Sequence, residues 1–127
     1  SWLDTTLGNM GARGQVTAFT ASDFGRTFTS NGDGTDHGWG AHQLVMGGAV
    51  RGGDIYGTFP VLATKNASDN NFDASPDQIQ NGILLPALSV DQYGATLAKW
   101  FGLSDTQLAG VFPNLNRFST KTLGFMG

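Results

Sequence analysis

The chain contains no cysteine. That excludes disulfides, thiolate chemistry and zinc–thiolate sites, and it leaves the compartment open. Charge is also scarce: 13% of the 127 residues are charged and 39% are hydrophobic. Such a balance argues against a disordered polyelectrolyte and for a loop-rich globular piece or part of a larger core. The seven Lys and Arg are scattered and the formal net charge is −3. Phosphate-backbone binding needs clustered cations, so nucleic acid is excluded as a partner class. No apolar run approaches the roughly 20 residues that a bilayer-spanning helix needs. No secretory signal pattern is visible either. The chain opens on Ser1 rather than Met, so the expectation is a cut start with any export signal upstream. No G-x-S-x-G occurs, which removes support for a hydrolase triad.

What is abundant is glycine, at 19 residues. The length fits one domain, and no internal repeat is evident. Gln15–Ser22 is β-branched and aromatic and predicts a buried strand. Asn31–His42, "NGDGTDHGWGAH", is turn chemistry throughout, since Asn-Gly and Asp-Gly tolerate positive φ. His42–Val50 predicts a second strand, ended by "RGGD". Asp54–Leu62 is a short extended stretch. Ala63–Gly82 is polar and reads as a surface excursion. Ser89 with Gln92 forms a capping-box pattern, followed by Tyr93, Leu97, Trp100 and Phe101 at helical spacing. Gly102 is a natural C-terminal stop, while Gly94 weakens this helix by about 1 kcal/mol relative to Ala. A second capping box at Ser104 opens a short helix through Val111, which Pro113 ends. Trp100 and Phe101 are expected in the core. The tail has no clear periodicity. Strand, loop, strand and helix predict an α/β fold with Asp23 and the Asn31–His42 loop at the carboxyl ends of strands, where such folds place functional loops.

Both histidines of the chain, His37 and His42, lie in that loop. With Asp23 and Asp36 they offer two imidazoles and two carboxylates in a short span. Such oxygen and nitrogen donors suit zinc or manganese, with calcium or magnesium as further options. Adjacent residues point different ways, so Asp36 and His37 are expected to serve two metals, or one metal and one substrate. Two ions about 3.5–4 Å apart clamp a phosphoryl or sulfuryl group. The plainer alternative is a turn-forming loop in which Asp and Asn cap the backbone and the histidines are incidental. An EF-hand is discounted, because position 12 counted from Asn31 is His42 and not Glu. Arg26 is a candidate for holding an anionic substrate or for pairing with Asp23. Trp39 is expected either to wall the site or to pack. "GGAVRGGD" lacks the Walker Lys-Ser/Thr and reads as a turn.

"VTAFTASDFGRT", "NGDGTDHGWGAHQLVMGGAVRGGDIYGTFP", "SVDQYGATLAKWFGL" and "VFPNLNRF…LGFMG" occur in that order. Together they resemble the C-terminal part of the domain of unknown function family 1501. The resemblance spans nearly the whole chain and implies an exported bacterial protein, periplasmic or secreted, often with a twin-arginine signal. It also implies membership of the alkaline phosphatase and sulfatase superfamily, with a central sheet, flanking helices and a bimetal site at its carboxyl edge. Asp36-His37-Gly38 matches that superfamily's Asp-His-Gly metal signature. His42 is placed as the further histidine, and Asp23 as a strand-end metal carboxylate; either Asp23 or Asp36 is the counterpart of the signature aspartate. The nucleophile and another metal Asp belong to an N-terminal half with no match here. The chain is therefore expected to be the C-terminal segment of a single such domain, inactive alone, partnered by its N-terminal remainder or by itself through the edges of strand Gln15–Ser22.

Two functions stay open at this point. One is the metal-binding part of a phosphate- or sulfate-ester hydrolase. The other is a non-catalytic extracytoplasmic protein that keeps the fold for binding or assembly, with Ala63–Gly82 as a recognition loop.

Overall fold

The computed structural model describes residues 1–69 and 71–127. The chain divides into two compact units. One comprises Ser1–Thr20, Leu44–Tyr56 and Leu88–Gly127; the other comprises Ala21–Gln43 and Gly57–Ala87. The secondary structure is mixed, with three α-helices and three two-stranded antiparallel sheets among the described residues. The expected central sheet is not formed among the described residues. No helix among the described residues is long and apolar enough to cross a membrane.

In the first unit, α1 (Trp2–Asn9) is capped by Ser1, whose hydroxyl accepts from the Asp4 amide. It buries none of its residues, and an exposed Arg13–Asp4 ion pair at 2.9 Å ties its start to the chain beyond it. The expected strand Gln15–Ser22 is reduced to β1 (Thr17–Phe19), paired antiparallel with β4 (Val45–Gly47) in the register Ala18↔Met46. This ribbon is not buried: Phe19 is 54% exposed and Met46 60%. Two strands alone present an apolar face but supply no second layer to cover it.

The helical half of this unit follows its capping signals. Ser89 and Gln92 complete a reciprocal box at the start of α2 (Val90–Trp100), and Ser104 and Gln107 do the same for α3 (Asp105–Val111). Each box satisfies backbone N–H groups that a helix start otherwise leaves without partners. Gly102, at φ +112°, terminates α2. The buried face of α2 shares only Leu97 with the expected one. It comprises Gln92, Ala95, Thr96 and Leu97, while Trp100 is half-buried and Phe101 is 81% exposed, not core. Ala95 meets Leu108 and Leu115 in the core cluster, with Phe112 against it. Gln92 and Thr96 are buried for a polar reason: Gln92 Nε2 donates to the Thr120 carbonyl (2.6 Å), and Thr96 Oγ1 accepts from the Leu123 amide (2.7 Å). The aperiodic tail is thus held by side chains of α2 that bond its backbone. It closes with the Arg51 amide on the Phe125 carbonyl and a Val50–Met126 bridge.

The second unit is built on the hairpin β2 (Gly25–Ser30) and β3 (Thr35–Gly38). Asn81 lies beside it and accepts from the amides of Phe28 and Thr29. The ribbon β5 (Gln78–Ile79) and β6 (Ile83–Leu84) continues from there, and Leu84 accepts from the Gly40 amide. Ala63–Gly82, read as a surface excursion, is in part interior. Phe72 is 6% exposed, Gln78 is buried, and Gln78 Oε1 accepts from the Ala63 amide at 2.8 Å. Asn70 of that stretch lies outside the described residues.

Candidate functional site

Asp36-His37-Gly38 is on a strand, not in a loop. "NG" and "DG" sit at Asn31–Gly34, flanked by Arg26–Ser30 and Thr35–Gly38. That is the sequence of a hairpin turn between two extended arms, and the structure forms it there. Arg26 faces His37 and Gly25 faces Gly38, with a register irregularity before Ser30 meets Thr35. Gly38 carries no Cβ for a reason: one built there would stand 2.9 Å from the Arg26 carbonyl carbon. Gly38 therefore allows close approach of the two strands.

Successive strand residues project to opposite faces, and Asp36 and His37 have separate surroundings accordingly. Asp36 Oδ1 accepts from Asn31 Nδ2 at 2.7 Å, and the Asp36 amide donates to the buried Thr27 hydroxyl at 3.0 Å. His37 stacks on Phe24, with ring centroids 3.9 Å apart and planes inclined by 18°. The Arg26 guanidinium lies 5.1 Å from the same Phe24 ring, and its Nη1 donates to the Thr35 carbonyl at 2.8 Å. That arrangement replaces the expected Arg26–Asp23 pair. His42 stacks on a different ring, Phe59, at 5.0 Å. Asp23 is exposed in the bend before β2. Trp39 is 66% exposed, so it neither packs nor walls an enclosed pocket.

Among the described residues, no group of three or more His, Cys, Asp or Glu side chains is assembled as a metal-holding set. Asp23, Asp36, His37 and His42 are thus not brought together as one by this chain. What the hairpin does bring together is Arg26, Phe24 and His37: a cation, an aromatic ring and an imidazole in one exposed stack. Phe24, Thr27, Asn31 and Phe59 were not singled out by sequence reasoning. The signal for Thr27 and Asn31 was the hairpin pattern itself. Nothing in residue spacing announces that Phe59 meets His42.

The profile of the family described as "Protein of unknown function (DUF1501)" matches residues 1–112. The chain belongs to the DUF1501 family. The match takes in the β2–β3 hairpin, both histidines and the helices α1, α2 and α3, and it stops short of the tail that carries Phe125. A search of the curated proteins and one of the solved structures each found no match.

Proposed function

We propose that this DUF1501 chain is an integral part of a larger exported hydrolase of phosphate or sulfate esters, built like an alkaline phosphatase or sulfatase. The remainder of the same polypeptide would cover the apolar surface left open here and supply the nucleophile. The observation that carries the integral-part reading is surface area. A folded monomer of 13.4 kDa exposes about 6,500 Å² on the usual scaling with mass, and even two separate units of this chain's sizes would expose only about 7,800 Å². This chain exposes 8462 Å², and none of its described large side chains is fully buried. The hydrolase reading is supported by the match of Asp36-His37-Gly38 to the superfamily signature and by Arg26 facing His37 across the hairpin. A planar guanidinium at that position suits a tetrahedral anion. The described residues of this chain assemble no group of three or more His, Cys, Asp or Glu metal ligands by themselves. A zinc or manganese site using Asp36, His37, Asp23 or His42 would take its remaining ligands from outside the chain.

The second reading is a non-catalytic binding or assembly protein of the periplasm or cell exterior. It is favoured by the dispersal of the donors, with Asp36 Oδ1 accepting from Asn31 and the two histidines stacked on different rings, Phe24 and Phe59. Calorimetric titration of Zn²⁺ and Mn²⁺ into the full-length protein separates the two. The hydrolase reading expects binding that His37→Ala abolishes, and turnover of aryl phosphate or aryl sulfate that falls with it. Absence of binding, or binding indifferent to His37→Ala, overturns it in favour of the second.

A further inference from the structure

We propose that Asn31 is a site of self-catalysed deamidation, set up by the hairpin turn that holds it. The chain contains two Asn-Gly pairs, Asn31-Gly32 and Asn81-Gly82, and the structure treats them oppositely. The reaction needs the amide nitrogen of the following glycine to reach the asparagine side-chain carbon. A glycine there removes the Cβ that would obstruct the approach. Gly32 is exposed at φ +97°, and a Cβ built on it would meet nothing within 4 Å.

Three contacts then fall on the reacting groups of the pair, two on Asn31 and one on Gly32. Its carbonyl oxygen Oδ1 accepts from the Asp33 amide at 3.0 Å, which polarises the carbonyl and stabilises negative charge developing on oxygen. The nucleophile, the Gly32 nitrogen, donates its proton to Ser30 Oγ at 3.1 Å, a hydroxyl able to relay that proton to water. The leaving nitrogen Nδ2 donates to the Asp36 carboxylate at 2.7 Å, which favours the positive charge it acquires on departure. The Gly32 nitrogen forms a bond to Cγ, and the Cγ–Nδ2 bond breaks. Ammonia leaves with the two hydrogens of Nδ2 and one proton equivalent to that lost by Gly32, and a succinimide remains. Solvent water opens the ring at Cγ to give aspartate, or at the main-chain carbonyl to give isoaspartate. The net change is amide plus water to acid plus ammonia, with no redox step.

Asn81-Gly82 lacks this freedom. The Gly82 amide is directed at the backbone carbonyls of Ile79 (3.1 Å) and Gln80 (2.8 Å), and the main-chain carbonyl of Asn81 is fixed by the amides of Phe28 and Thr29. Gly82 is buried, with Phe28 and Phe72 filling the space beside it. The second pair is an internal control in the same molecule.

The consequence falls on the signature aspartate. A carboxylate at position 31 replaces the donor to Asp36 with a like charge at hydrogen-bond distance, which weakens the turn end of the hairpin.

The test is peptide mapping of the full-length native protein during incubation at mildly alkaline pH, with mass detection of acid formation and enzymatic detection of isoaspartate. Asn31 is expected to convert several-fold faster than Asn81, with isoaspartate among its products. In denaturant the two rates should converge, because local sequence is then all that distinguishes them. Ser30→Ala should slow Asn31 in the native protein and leave Asn81 unchanged. Equal native rates at the two sites, or a native rate at Asn31 unaffected by Ser30→Ala in a variant with unaltered circular dichroism, overturns the proposal.

Discussion

At residue 38 a methyl group has no room, and the obstruction is backbone. The nearest atoms to a Cβ there are the carbonyl carbon, oxygen and nitrogen of Arg26, at 2.9, 3.0 and 3.2 Å. A flexible side chain could move aside, but a paired strand moves only by opening the ladder. Gly38→Ala is therefore expected to destabilise the protein by about 1–3 kcal/mol, the usual cost of overpacking, read as a lowered denaturation midpoint with an unchanged m-value. A wild-type midpoint would contradict the close approach of the strands. Tyr93 makes a different residue-scale prediction. Its hydroxyl donates to the Thr20 carbonyl at 3.0 Å, and burial raises its pKa above the ordinary phenol value. A raised value in the folded state means the stabilising contribution is complete below the unfolded-state pKa. It is then lost as pH rises through the folded one. Stability should fall across that alkaline window, and Tyr93→Phe should flatten the fall while removing one hydrogen bond. A pH series of denaturation curves checks both; parallel curves for the two proteins would exclude Tyr93 as the responsible group.

The two helices that open on reciprocal capping boxes, α2 and α3, are the elements whose local chemistry decides their ends. Ser89→Ala and Ser104→Ala should each cost about 1 kcal/mol. The Ser89 loss should be the larger, because its partner Gln92 is buried and also holds the Thr120 carbonyl. Thermal denaturation of the two single variants ranks them; a larger loss at Ser104 would show that the tail contact adds nothing to the first cap. The legibility of this chain follows the same division between local and distant causes. The caps of α2 and α3, the Gly102 stop and the end of α3 before Pro113 depend on residues within one turn, and each was readable in the sequence; α1 and its Ser1 cap were not read. The hairpin was half readable: its turn residues were plain, but Arg26–Ser30 and Thr35–Gly38 are too polar to announce themselves as strands. Strand Gln15–Ser22 was overread, since β-branched composition gives propensity and says nothing of which neighbours bury it. The α2 face was misread because Gln92 and Thr96 are buried by polar contacts with an aperiodic tail that no hydrophobic period reports. In the candidate site, the separation of Asp36 from His37 was legible from adjacency alone. Their partners Asn31 and Phe24 emerge only once the hairpin register is known.

On the scale of the whole molecule, the excess surface makes a prediction about where single substitutions are felt. Phe101 is 81% exposed at the end of α2 and Trp2 is 81% exposed in α1, in a chain whose core cluster is Ala95, Leu108 and Leu115 with a few half-buried neighbours. Solvent-facing residues away from special backbone geometry usually change stability by no more than about 0.5 kcal/mol when substituted. Burial against further polypeptide reverses that: truncating a packed Phe costs about 3–5 kcal/mol. Phe101→Ser should therefore be nearly silent in the isolated chain, apart from improving its solubility. In the larger protein proposed above, it should cost several kcal/mol, with a matching fall in midpoint. The isolated wild-type chain should meanwhile associate on sedimentation and bind a hydrophobic dye, and the full-length protein should do neither. If Phe101→Ser is silent in both contexts and the isolated chain sediments as a dye-free monomer, the open surface is the protein's own exterior. The integral-part reading then falls, whatever the fate of the metal proposal.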